Sequence, residues 1–119
     1  MGRTTTRWIT LTVLLAATLS ACGNDDEGNG SEDPVVVEIT FEDGTVEPNG
    51  DRVDVDAGQP IDLEVTADEP GEIHIHSDPE QEIPYDEGNQ TIKIQIDKPG
   101  VVEVESHELD QVIVQLEVR

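Results

Sequence analysis

The chain has 119 residues, a single cysteine and a formal charge of −22 at pH 7. That length suits one small domain. So acidic a surface argues against nucleic acid, whose binding needs a basic face, and against direct contact of the domain with anionic headgroups. With one cysteine, an intrachain disulfide and a thiolate metal cluster are excluded.

Residues 1–21 are expected to be a secretory signal. Arg3 and Arg7 form a short basic start, Trp8 to Leu19 is mostly apolar and uncharged, and Ser20-Ala21 supplies small residues before Cys22. The apolar stretch is shorter than the roughly 20 residues of a spanning helix. Three threonines separate the two arginines, so a twin-arginine signal is not indicated. Leu19-Ser20-Ala21-Cys22 resembles the lipobox of bacterial lipoproteins. The resemblance implies a diacylglycerol lipid on the Cys22 sulfur, cleavage before that residue, and a membrane partner reached through the anchor. The product would face the extracytoplasmic side, at the cell surface or in the periplasm. The signal carries two arginines and no acid, so the 98 residues that remain would carry −24. A solvated acidic surface, as in a salty habitat, explains that charge as well as a cation-binding or partner-steering surface does.

Residues 22–33 continue as Cys22 followed by GNDDEGNGSED, which has no apolar side chain and reads as a flexible acidic tether. From Pro34 to Arg119 short alternating runs take over. Val35, Val37, Ile39 and Phe41 alternate with polar or less buried positions, and so do Val53 and Val55. The same holds for Ile61, Leu63, Val65 and Ala67, and for Ile73 and Ile75. Ile92, Ile94 and Ile96, then Val102 and Val104, then Val112, Val114, Leu116 and Val118 complete the set. Period-two alternation places one face inside and one in water. Seven runs punctuated by Asp43-Gly44, Asn49-Gly50, Glu69-Pro70-Gly71 and Pro99-Gly100 predict an all-β, antiparallel sandwich or barrel of about seven strands. Residues 78–89 are expected to form a loop. Phe41 and Tyr85 are the only aromatics after residue 21, so the core must be Val, Ile and Leu.

The order of these runs resembles that of the cupredoxins. Thr45-Val46-Glu47-Pro48 and Val53-Asp54-Val55-Asp56-Ala57-Gly58 look like their early strands, and Pro99 to His107 looks like the strand leading to the ligand loop. The resemblance spans about residues 35–119 and implies a Greek-key β-sandwich. It would put His74 where the first copper histidine lies. Ser106 stands about where the family's cysteine would be, and the only methionine is Met1. A blue-copper electron carrier, which needs that thiolate, is excluded.

The three histidines fall at His74-Ile75-His76 and at His107. Residues i and i+2 of a strand share a face about 6.5–7 Å apart. Both rings can therefore converge on one ion at roughly 2 Å per nitrogen. His107 shares the face of Glu103 and Glu105 by the same alternation, and cupredoxin topology implies that its strand lies beside that of His74. The expected site is His74, His76 and His107, with Glu105 or Glu72 as an oxygen ligand. It suits Cu(II), with Zn(II) second. Against this stands the plain reading of two polar histidines on a wet strand face.

Other chemistry finds little support. Asp54 to Gly58 misplaces the glycine of a calcium loop, and Val65 occupies the position of its bidentate acid. No phosphate loop or nucleophile elbow is present, and carboxylates are too abundant for any pair to indicate catalysis. The expectation is a non-enzymatic surface lipoprotein that handles or senses a metal ion. A metal-free adhesion or assembly module is the alternative, and no protein partner is indicated.

Overall fold

The computed structural model describes residues 33–119, and within them every regular element is a strand. Nine strands follow in order: β1 Val35–Glu42, β2 Thr45–Glu47, β3 Asp51–Val55, β4 Pro60–Ala67 and β5 Gly71–Ile75, then β6 Gln81–Tyr85, β7 Gly88–Gln95, β8 Gly100–Ser106 and β9 Gln111–Val118. They form a four-stranded sheet in the order β2-β1-β4-β7 and a five-stranded sheet in the order β3-β9-β8-β5-β6.

The alternation read from the sequence becomes the two inner faces. In β4, Ile61, Leu63, Val65 and Ala67 are buried while Glu64 and Thr66 are exposed. Ile39, Ile61, Leu63, Ile73, Val104 and Leu116 lose essentially all contact with solvent. Burying each such side chain stabilises the fold by about 1.5–3 kcal/mol. Phe41 and Tyr85 stack at one end, with ring centroids 4.6 Å apart.

Three expectations need correction. The sandwich is not wholly antiparallel, because β1 pairs with β4, and β3 with β9, in parallel. Alternation reports which face is buried and carries no information on a neighbour's direction. Residues 78–89 are not one loop, since β6 lies inside them. Ile83 and Tyr85 face the core there, and Pro84 is tolerated because β6 is an edge strand that need not donate at every residue. In β9, Ile113 is buried although the alternation puts it in water. The pairing steps from Val104–Val114 to Glu105–Val112, so Ile113 is the extra residue of a β-bulge.

Asp43-Gly44 forms the predicted tight turn between β1 and β2. Both residues have positive φ, 51° and 72°, the backbone of the hairpin turn that favours this dipeptide. Among the described residues no helix is long and apolar enough to cross a membrane. The signal, Cys22 and most of the tether lie outside the described residues.

Candidate metal site

β5 presents Ile73 and Ile75 to the core, so Glu72 and His74 lie on the outer face of the five-stranded sheet. His76 follows the strand but remains tied to it, because its backbone N–H donates to Glu103 O at 2.9 Å. His74 is paired with Glu105 of β8 on one side and Glu82 of β6 on the other. The two imidazoles therefore stand side by side, with centroids 4.4 Å apart and planes tilted by 40°.

The turn after His76 brings in a residue that the sequence reading missed. Ser77 Oγ donates to Pro79 O at 2.7 Å, and Gln81 Nε2 donates to Ser77 Oγ at 3.1 Å. Lys98 pairs with Asp78 from the neighbouring β7–β8 turn and holds its carboxyl below the usual aspartate range. The chain so folded returns Glu80 over the histidines. Glu80 Oε2 lies 3.5 Å from His74 Nε2, and Glu80 Oε1 lies 3.7 Å from His76 Nδ1. Two donors about 2 Å from a shared ion can be at most about 4 Å apart, and each of these nitrogens lies within that distance of one Glu80 oxygen.

Among the described residues, His74, His76 and Glu80 are the one group of three whose ligand atoms all lie within 4.8 Å of one another. His74 Nε2 is buried and has no hydrogen-bond partner despite the nearby carboxylate. An unpaired buried polar atom is costly, and this one lies 3.5 Å from the Glu80 carboxylate.

The remaining expected residues are nearby but placed differently. Glu105 Oε2 accepts a 2.8 Å hydrogen bond at His76 Nε2, on the ring edge away from Glu80. That bond is the main reason His76 titrates above its ordinary 6.5, with the negative charges of Glu105, Glu80 and Glu103 adding to it and burial opposing it. His107 stands edge-on to His74 at 6.1 Å between centroids, outside the group of three. Glu72 sits opposite Pro84, further back along β5, and is not part of the group either.

His74 and Ser106, assigned by the resemblance to one ligand region, do not share a site. Ser106 is paired with Ile73 rather than with His74 and is buried on the core side of β8. The histidines are on the opposite face. A groove beside His76 is lined also by Gln81 and Gln95, and both of these also line a second groove at Pro34 and Pro60. His76 thus lies towards the end of the sandwich where β1 begins.

No family model and no curated protein matches the sequence. Solved structures do match. Auracyanin A, a blue copper protein of Chloroflexus aurantiacus, superposes with a TM-score of 0.54 at 15% identity, over 73% of this chain and 100% of that one. The fold is cupredoxin-like. A reduced Cu(I) form of an amicyanin variant gives a TM-score of 0.51 at 8% identity, over 75% of this chain and 85% of that one. A multi-copper oxidase of Pseudomonas thermotolerans gives 0.52 at 15% identity, and there the match spans 75% of this chain but 30% of the oxidase. The cupredoxin-like domain described here carries its imidazoles on the outside of a sheet, with a buried serine behind them.

Proposed function

We propose that the chain is a lipid-anchored extracytoplasmic protein whose cupredoxin-like domain binds one copper-type divalent ion for handling or sensing. The observation that carries this reading is the convergence of His74, His76 and Glu80 within 4.8 Å, with His74 Nε2 buried and unpaired. The donors are imidazole nitrogens and carboxylate oxygen, a set that suits Cu(II) or Zn(II). Intrinsic affinity favours copper among divalent ions.

A blue-copper centre does not fit these residues. Cys22 and Met1 are the only sulfur-bearing side chains, and both precede residue 33. The proposed role is therefore binding rather than electron transfer or catalysis, and the ion would supply a Lewis-acidic centre open to solvent. The field of nearby acids, Glu80, Glu103 and Glu105, favours approach of a cation. Anchoring is proposed at Cys22 on the strength of the lipobox-like Leu19-Ser20-Ala21-Cys22.

Calorimetric titration of the purified full chain with Cu(II), and separately with Zn(II), tests the reading. One ion per chain is expected, with the tighter affinity for copper. His74→Ala and Glu80→Ala should each weaken binding at least tenfold. Equal binding by wild type and His74→Ala would leave only scattered surface carboxylates as ligands, and a metal-free adhesion module would then replace this reading.

A further inference from the structure

We propose that Glu105 is a positioning residue, which locks His76 in the tautomer that turns Nδ1, rather than Nε2, towards the metal. The inference rests on the metal-binding reading above and assigns which atom of each imidazole is used.

The two nitrogens of His76 face different carboxylates. Nε2 is 2.8 Å from Glu105 Oε2, while Nδ1 looks towards Glu80 Oε1 at 3.7 Å. An ionised carboxylate only accepts hydrogen bonds, so in the neutral ring the proton belongs on Nε2. That leaves the Nδ1 lone pair free on the side where Glu80 and His74 Nε2 converge. Imidazole ligands commonly donate their second N–H to a carboxylate, which fixes the ring and raises its basicity.

The fold supplies this arrangement from two strands. Glu105 is the cross-strand partner of His74, and the His76 N–H is bonded to Glu103 O, so Glu105 reaches His76 diagonally across the ladder. Its side chain is 29% exposed against 65% for Glu80. The better-buried acid holds the ring, and the freer acid is the one able to close on an ion. The resulting donor set is His74 Nε2, His76 Nδ1 and a Glu80 oxygen, one ring through each type of nitrogen.

The test uses the full chain with isotopically labelled histidine nitrogens, observed by long-range proton–nitrogen NMR before and after addition of Zn(II). In the metal-free chain, above the pH at which the His76 ring becomes neutral, its one remaining ring proton should be on Nε2. Zn(II) should shift His76 Nδ1 and His74 Nε2, leaving His76 Nε2 protonated. Glu105→Ala should mix the tautomers and weaken Zn(II) binding about 10–100-fold. Glu105→Gln keeps an acceptor oxygen and should retain the tautomer with a smaller loss. Metal bound through His76 Nε2, or Glu105→Ala binding as tightly as wild type, would overturn the positioning role while leaving metal binding intact. Failure of the wild type to bind either Zn(II) or Cu(II) would overturn both.

Discussion

Gly71 of β5 lies directly opposite Tyr85 of β6, so close that a Cβ at Gly71 would overlap the tyrosine hydroxyl. The stacked Phe41–Tyr85 pair closes one end of a core otherwise built from aliphatic side chains. Gly71→Ala should push Tyr85 off that stack and lower stability by about 1–3 kcal/mol. Denaturant midpoints measure the loss. In a Tyr85→Phe background the same alanine should cost less, because the hydroxyl is the nearest atom it meets.

Tyr85 itself should titrate anomalously. Burial, and after it the negative charges of Glu108 and Asp68, pushes its hydroxyl up to about 12. An unfolded chain releases that proton near 10. Between those values the unfolded state holds fewer protons, so this residue's contribution is full below about pH 10 and is lost as pH rises towards 12. Ultraviolet titration of the folded chain should show no tyrosinate step at the ordinary position.

His76 should titrate above 6.5 in the metal-free chain, chiefly because Glu105 accepts its hydrogen bond. A raised pKa means the folded state holds the proton more tightly. The associated stability is present below about 6.5 and is lost as pH rises through the higher folded value. Copper affinity runs the other way, falling as pH drops through that same value, since a protonated ring cannot coordinate. NMR titration of wild type and Glu105→Gln checks the cause: the variant should return His76 towards its ordinary range.

Salt should stabilise the domain. Residues 33–119 contain 24 acids and only Arg52, Lys93, Lys98 and Arg119 as cations. All four cations are already engaged in ion pairs, with Glu117, Asp62, Asp78 and Asp54 respectively. The surplus acids have no cationic side chain left to neutralise them. Raising salt from 0.01 to 1 M shortens electrostatic reach from about 30 to about 3 Å. The thermal midpoint should therefore rise, and a flat or falling midpoint would mean that bound ions already neutralise the acids.

Lipid attachment is tested at Cys22. Wild type should incorporate labelled fatty acid and partition into detergent, whereas Cys22→Ala should do neither. Equal incorporation by the variant would remove the anchor from the proposal.

Much of this architecture can be read along the chain, because burial on one face writes itself as alternation. β1 and β4 are visible residue by residue, from Val37 to Phe41 and from Ile61 to Ala67. β6 is not, since Glu82 and Pro84 interrupt it and only Ile83 and Tyr85 show the period. The outer-face pairing of His74 and His76 follows from i and i+2 spacing. Glu80 follows from no period at all: a turn delivers it, and its four-residue separation from His76 is lost among so many other acids. Which face of β8 meets the histidines also depends on register, which pairs Ser106 with Ile73 and Glu105 with His74.

The shared position of Gln81 and Gln95 between the groove at His76 and the groove at Pro34 has a geometric consequence. With Cys22 acylated as proposed, the eleven residues from Gly23 to Asp33 keep the start of the domain within about 40 Å of the bilayer, the reach of a fully extended chain. His76 is at the end of the domain where that tether enters, and the Phe41–Tyr85 pair is at the other end. An ion held by His74 and His76 would therefore sit near the tethered end of the domain, its distance from the lipid limited by the reach of those eleven residues.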